Sequence, residues 1–128
     1  MTMTRLEAVL ATIDAQANAS LEKLNQAEAF AQRSENLSVE GSSRDEVATV
    51  CVDGTGQVTS IALVEDLSRH RGSAVAAAVL EALGQAQRRL SFRVEELGKE
   101  IYGEDSPSVS AFSQAYRDKF GYEEDDSE

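Results

Sequence analysis

The feature that most constrains the fold is a run of helix-forming residues without glycine or proline, from about residue 4 to residue 34. At about 1.5 Å per residue this helix would be about 45 Å long, more than a compact domain of 128 residues can cover by itself. Its apolar residues recur at steps of three and four, on one helical face: Leu6, Leu10, Ile13, Ala17, Leu21, Leu24, Ala27 and Ala31. We therefore predict that this stripe packs against another long helix.

Three strand patterns follow the helix. Residues 36–43 alternate apolar and polar positions before a turn, as expected of a short edge strand. Residues 46–52 and 57–64 are rich in β-branched side chains, and residues 53–56 between them supply turn chemistry, which predicts a β-hairpin. Because apolar residues occupy both alternating positions of the hairpin strands, we expect both sheet faces to be at least partly covered, one by helices and the other by a second subunit.

A second long helix is predicted from Ser73, as the N-terminal cap, to about Glu100. Gly84 lies inside it at a cost of about 1 kcal/mol relative to alanine, and we interpret it as a point of close backbone approach. The apolar positions again step by threes and fours: Val75, Val79, Leu83, Ala86, Leu90, Val94, Leu97 and Ile101. The order of elements predicts an α+β fold of the form α-β-β-β-α.

The C-terminal segment has a different character. Ser106 and Pro107 have the residue types of a helix start, and Gly121 is typical of a helix end. The short helix between them carries an aromatic face: Phe112, Tyr116 and Phe120. Residues 123–128 have the composition of a solvated, disordered acidic tail. We therefore divide the chain into a domain at 1–103 and an appended helix and tail at 104–128.

The chain is short enough that oligomerisation would add useful apolar burial, so we expect a homodimer. The residues predicted to form the core or the dimer contact lie on both long helices and in the hairpin: Leu10, Ile13, Leu21, Leu24, Val50, Val52, Ile61, Leu63, Leu83 and Leu90.

The sequence lacks the parts of an enzyme or a metal site. One histidine and one cysteine cannot build a structural zinc site of the usual kind in one chain. His70 lies between two arginines without a Gly-x-Ser-x-Gly nucleophile motif, and Cys51 lies in a strand among apolar neighbours, where an inert thiol is usual. We expect no enzymatic activity, no cofactor and no metal.

The same composition bears on location. A lone cysteine cannot close an intrachain disulfide. The N-terminus has no basic region followed by an apolar run, and no stretch reaches the length that spans a bilayer. We expect a cytoplasmic protein without a signal peptide or a membrane partner.

The net charge of −11 opposes binding to phosphate backbones, but it is unevenly distributed. Residues 104–128 carry 8 acids and 2 bases, whereas residues 1–103 carry 15 acids and 10 bases. A local basic band interrupts the acidic background on the second helix and gives the candidate DNA contacts: Arg88, Arg89, Arg93 and Lys99. Two interpretations remain open: these groups contact phosphates, or they pair with Glu81, Glu95 and Glu96 on a solvated helix surface.

A family resemblance rests on the hairpin VATVCVDGTGQVTSIAL at residues 47–63 and the alanine-rich stretch at residues 74–86. With both long helices in this order, residues 5–100 resemble the YbaB/EbfC family of bacterial nucleoid-associated proteins, especially its divergent actinobacterial branch. The resemblance implies a three-stranded antiparallel sheet between the two helices and a homodimer whose helices project like tweezers. It also implies nonenzymatic DNA binding of low sequence specificity, through basic residues on the projecting helices, and a nucleoid-associated location.

Two functions follow from these observations. The first is a nucleoid-associated protein that binds double-stranded DNA as a dimer, with the acidic tail as a competitor for basic surfaces. The second is a protein-interaction scaffold or a type VII secretion accessory protein without DNA binding, in which Phe112, Tyr116 and Phe120 anchor a protein partner. The alternative for the aromatic helix is that it packs on its own dimer.

Overall fold

The computed structural model describes residues 4–125 and confirms the predicted α+β architecture with a short C-terminal helix. The elements in chain order are α1 (Arg5–Glu35), β1 (Ser38–Ser42), β2 (Ala48–Asp53), β3 (Val58–Leu63), a 3-10 turn (Leu67–Arg69), α2 (Gly72–Tyr102) and α3 (Pro107–Phe120). The sheet is antiparallel in the order β1-β2-β3. No helix within residues 4–125 combines the length and the apolar character needed to cross a membrane.

The helix starts show one difference from the sequence prediction. Helix α1 begins after Thr4 with a capping box, in which Thr4 and Glu7 each accept a hydrogen bond from the other's backbone amide. Helix α2 begins at Gly72, one residue before the predicted cap at Ser73. Arg71 is its N-cap residue without a side-chain cap, because a guanidinium group has no acceptor atom, and the Arg71 carbonyl accepts the amides of Ala74 and Val75 at 3.0 Å.

The core lies between α2 and the first two strands. The inward side chains of β1 and β2 are fully buried against small residues of α2, which allow a close approach of helix and sheet. The principal contacts are Val39, Val50 and Val52 on the sheet, and Ala82, Ala86 and Leu90 on the helix. Leu83 packs at the edge of this cluster and is partly buried. The predicted core positions Val50, Val52 and Leu90 are therefore interior residues of the subunit.

The close approaches to glycine are not where the sequence predicted them. At Gly84 an added Cβ would meet only the far end of the Arg88 side chain, at 3.2 Å from Nη1. Close approaches occur at Gly41, which lies against the backbone of Ala82 and Ala86, and at Gly98, which lies against the ring of Phe112, as well as in the hairpin turn at Gly54 and Gly56. The Gly84 interpretation is wrong because that position of α2 faces a flexible side chain.

Strand β3 is exposed along its whole length within the subunit. Ile61 lies opposite Val50 in the register, so it continues the face that α2 covers on β1 and β2. Ile61 is nevertheless 51% exposed, and Leu63 is also exposed, because the contacts of α2 with the sheet fall on β1 and β2. Helix α2 thus covers one face of the sheet at β1 and β2, and the cover expected from a second subunit stays a prediction.

The apolar stripe of α1 is also mostly uncovered within the subunit. Residues 4–25 are exposed, including the predicted contact positions Leu10, Ile13, Leu21 and Leu24. Helix α1 meets α2 only near its C-terminal end, where Phe30 packs on the core and Arg33 pairs with Glu100 at 2.9 Å. The contact of α1 with α2 is thus made by residues outside the predicted stripe, whose last members, Ala27 and Ala31, are exposed in the subunit as well.

Candidate nucleic-acid interface

Three of the four predicted DNA contacts lie together on the middle of α2. Arg88 and Arg89 are adjacent and Arg93 lies about one turn further, and their side chains are partly buried. Arg89 also donates from Nη1 to the carbonyl oxygen of Glu40 in β1 at 3.1 Å, which holds its guanidinium beside the sheet edge. We call these three side chains the arginine surface.

Two carboxylates from the C-terminal segment cover the arginine surface. Glu123 accepts from Nε of Arg88 at 3.4 Å and from Nε of Arg89 at 3.3 Å, one through each carboxylate oxygen. Asp125 accepts from Nη1 of Arg93 at 3.1 Å, and its side chain is only 1% exposed. The Glu123 carboxylate also accepts from Gln85 at 3.1 Å. One short segment therefore engages all three guanidinium groups.

The predicted acidic tail differs from expectation where the structure describes it. Residues 123–125 contact α2 because Glu123 and Asp125 find cationic partners there, whereas residues 126–128 lie outside the described part of the chain. The predicted pairing of the arginines with Glu81, Glu95 and Glu96 is wrong for Arg88, Arg89 and Arg93. Glu81 instead pairs with Arg44 at 3.9 Å.

Lys99 lies apart from the arginine surface. Its ammonium group pairs with Glu95 at 3.2 Å and with Glu96 at 3.7 Å along α2. The hydrogen bond to Glu95 raises the pKa of Lys99. Burial raises the pKa of Glu95, but hydrogen bonds from Arg117 and Lys99 outweigh that effect, so its pKa is lowered overall. Glu95 thus links α2 to α3 through Arg117, at 2.8 Å.

The aromatic face of α3 packs on the chain's own domain. Phe112 lies against Gly98 and stacks near Phe30, with ring centroids 4.8 Å apart. Tyr116 donates its hydroxyl hydrogen to the carbonyl oxygen of Gly54 in the hairpin turn at 2.9 Å, and burial raises the pKa of that hydroxyl. Phe120 contacts Gly56 of the same turn. These contacts bury the three rings only in part, and Tyr116 and Phe120 still line an open surface cavity beside Thr55 and Lys119.

The end of α3 directs the acidic segment onto the arginine surface. Gly121 takes a positive φ of 79° and lies beside the Arg88 side chain, a conformation that favours glycine. The Tyr122 ring then packs edge-on against the Phe92 ring, with the ring centroids 6.1 Å apart. The Arg117 guanidinium lies 3.7 Å from the centroid of the Tyr122 ring. The amide of Glu123 donates to the Arg88 carbonyl at 3.1 Å. The sequence showed the helix and the acids, but no local pattern indicated that they meet the arginines.

The described part of the chain contains no cluster of residues that could bind a metal ion. Within residues 4–125, no three or more histidine, cysteine, aspartate or glutamate side chains come together as a metal site would require. Cys51 is only partly buried and forms no disulfide there. The arginine surface, by contrast, can bind an anion electrostatically through its guanidinium groups.

Comparison with known proteins agrees with this chemistry. A family model described as the YbaB/EbfC DNA-binding family matches residues 7–104, which contain both long helices but for a few terminal residues, the sheet and the arginine surface. Searches of the curated proteins and of the solved structures each found no significant match. The match covers well over half of the chain, so the protein belongs to the YbaB/EbfC family, a family of DNA-binding, nucleoid-associated proteins.

Proposed function

We propose that this protein is a nonenzymatic, nucleoid-associated protein that binds duplex DNA as a homodimer with low sequence specificity. The observation that carries the proposal is that Glu123 and Asp125 gather three guanidinium groups on α2, inside the family domain. Carboxylates and phosphates are both recognised by arginine through charge-assisted hydrogen bonds. A surface that holds two carboxylates can therefore hold phosphates of a DNA backbone.

Low sequence specificity is expected where these arginines contact phosphates. Contacts to phosphate position a protein on DNA without reading its sequence, whereas specificity requires side chains that reach base edges. Gln85 joins Arg88 and Arg89 on the Glu123 carboxylate, and we assign these groups the same role on a phosphate. We leave Lys99 out of this contact because it lies six residues beyond Arg93 on α2, outside the segment that Glu123 and Asp125 contact.

The homodimer is supported by apolar surface that the subunit leaves uncovered. Leu24 of α1 is 67% exposed, and Ile61 and Leu63 extend the buried face of the sheet to an open edge strand. Contiguous apolar surface and open strand edges on a folded subunit are typical of interaction sites. A second copy would cover them and would double the arginine surface by symmetry.

The alternative function, a protein-interaction scaffold or type VII secretion accessory protein, stays a prediction. Its proposed anchors were Phe112, Tyr116 and Phe120. These side chains contact Gly98, Gly54 and Gly56 of the same chain, while Tyr116 and Phe120 also line an open cavity of about 300 Å³ on the surface. Nothing in the described residues favours this function over DNA binding.

The proposed function is tested by fluorescence anisotropy with two duplexes of unrelated sequence at low salt. We expect both to bind with affinities within about two-fold, and binding to fall linearly on a log-log plot against salt. Sedimentation of the free protein should give the mass of two chains. The proposal is wrong if neither duplex is bound by the full chain or by the variant Glu123→Gln/Asp125→Asn, which removes both covering carboxylates.

A further inference from the structure

The C-terminal segment lies where the proposed function places DNA. We propose that residues 121–125 form an autoinhibitory strap, which occupies the arginine surface in the absence of DNA and which duplex DNA must displace. The inference rests on the proposed function and adds to it a mechanism of regulation. Its physical basis is that one surface cannot hold the two carboxylates and the phosphates at the same time.

The strap matches the chemistry of the ligand that it would replace. Glu123 presents one oxygen to Arg88 and the other to Arg89, as a bridging phosphate could. Asp125, two residues further, neutralises Arg93. Two carboxylates therefore face three guanidinium groups, which leaves little charge on this surface to attract a DNA backbone.

The position of the strap is fixed by the helix that precedes it. Phe112 and Tyr116 hold α3 on the domain, and Tyr122 packs on Phe92 immediately before the first carboxylate. Tethering of this kind makes the carboxylates compete at a high effective concentration. The amide of Glu123 adds a backbone hydrogen bond to Arg88, so the docked segment has a defined register on α2.

The contact is also built so that it can open. Residues 122–125 lie outside the helices and strands, and the Arg88 and Glu123 side chains are partly exposed. The ion pairs of Glu123 have this exposure, so they are individually weak and screened by salt, whereas the Asp125 carboxylate is buried against Arg93 and is screened less. A DNA backbone offers many phosphates to a dimer, so it can compete with two carboxylates from each chain.

The cost of the strap to DNA affinity follows from the fraction of molecules in which it is open. If the arginine surface is free in about a tenth of the molecules, the apparent dissociation constant for DNA rises about ten-fold. Salt acts twice on the full chain, because it weakens phosphate contacts and also releases the strap. The salt dependence of binding should therefore be shallower for the full chain than for a chain without the carboxylates.

The test uses full-length protein and two double variants with the same change in charge. Glu123→Gln/Asp125→Asn removes the strap carboxylates, whereas Glu124→Gln/Asp105→Asn neutralises two exposed acids, and each raises the formal net charge from −11 to −9. Binding is measured by fluorescence anisotropy on one duplex across a salt series. We expect the strap variant to bind at least about ten-fold more tightly at low salt and the control to stay within about two-fold of the unmodified chain.

The other outcomes separate this inference from the proposed function. Equal tightening in both double variants would mean that net charge alone controls affinity, which overturns the strap and leaves DNA binding in place. Equal affinity of all three proteins would do the same. No binding by any of them would overturn both proposals.

Hydrogen exchange gives a second test that does not depend on a substitution. The Glu123 amide is protected by its bond to the Arg88 carbonyl in the free chain. We expect its exchange to accelerate when saturating duplex DNA is added, because the strap must leave α2. Unchanged or slower exchange at Glu123 in the DNA-bound protein would overturn the strap.

Discussion

Gly98 of α2 lies directly against the ring of Phe112 of α3, so closely that a Cβ at position 98 would overlap the ring atoms. The absence of a side chain at this position is what lets α3 dock. Gly98→Ala should therefore lower the free energy of unfolding by about 1–3 kcal/mol, the usual cost of overpacking. Urea denaturation of the purified variant measures this difference.

Gly84→Ala in the same helix is the matched control. Its added methyl group meets only the far end of Arg88, which can move, so the higher helix propensity of alanine should dominate. We expect the free energy of unfolding to rise by about 0.5–1 kcal/mol. If both glycine variants change stability by the same amount and in the same direction, the packing of Phe112 on Gly98 is not the cause.

Tyr116 fastens α3 to the hairpin turn. Removing its hydroxyl in Tyr116→Phe leaves the Gly54 carbonyl without that donor, and we expect a loss of about 0.5–1.5 kcal/mol in the free energy of unfolding. Tyr102→Phe is the control, since its ring packs on Phe30 and its hydroxyl makes no hydrogen bond among residues 4–125. Thermal or urea unfolding should separate the two variants, and equal losses would count against the Tyr116 bond.

Glu95 makes stability depend on pH. Its side chain is 12% exposed, and its pKa in the folded chain is lowered by Arg117 and Lys99 against the raising effect of burial. A lowered folded pKa contributes stability that is present above the unfolded value of about 4.3 and is lost as pH falls through the folded pKa. Glu95→Gln should thus be less stable than the unmodified chain near neutral pH, by about 1 kcal/mol.

The check is a series of urea midpoints from neutral to acidic pH. The difference between the Glu95→Gln variant and the unmodified chain should shrink as the carboxyl group becomes protonated in the folded protein. Glu96→Gln is the control, because Glu96 is half exposed and meets Lys99 only at 3.7 Å, so its effect should be small at every pH. A Glu95 effect that persists at acidic pH contradicts the ion-pair explanation.

If two copies associate through the open edge of the sheet, a charge placed on that edge should separate the dimer into monomers. Ile61→Asp should give a folded monomer, because it places a carboxylate on the exposed extension of the core face of the sheet. Ser110→Asp adds the same charge on the exposed surface of α3 and should leave the dimer intact. Sedimentation equilibrium distinguishes them, and a dimer that tolerates Ile61→Asp would place the interface elsewhere.

The elements of this fold are encoded locally, which is why the sequence predicts them. Apolar spacing marks α1 and α2, and the turn at residues 53–56 marks the hairpin, since Asp53 accepts hydrogen bonds from Thr55 and Gln57. The α2 start was predicted at Ser73 because serine is a preferred N-cap residue, but this preference is only a tendency. In the structure the Arg71 carbonyl accepts the first hydrogen bonds of the helix.

The candidate site was predicted only in part. The arginines stand out in the sequence as a basic band, but their partners lie more than 30 residues away, and no periodicity encodes such a contact. Composition alone suggested that Glu123 and Asp125 belong to a solvated tail. Their docking depends on the packing of Phe112, Tyr116 and Tyr122, which is a property of the assembled domain.

The most direct measurement of the central claim is the salt dependence of DNA binding after the arginine surface is neutralised. In the Glu123→Gln/Asp125→Asn background, Arg88, Arg89 and Arg93 are all changed to glutamine, and a control changes Arg44, Arg69 and Arg71 instead. Each lost phosphate contact should reduce the log-log slope by about 0.9, so the first variant should be shallower by at least about 2.7 and bind far more weakly. An unchanged slope in that variant, or an equal loss in the control, would contradict the account that Arg88, Arg89 and Arg93 bind DNA.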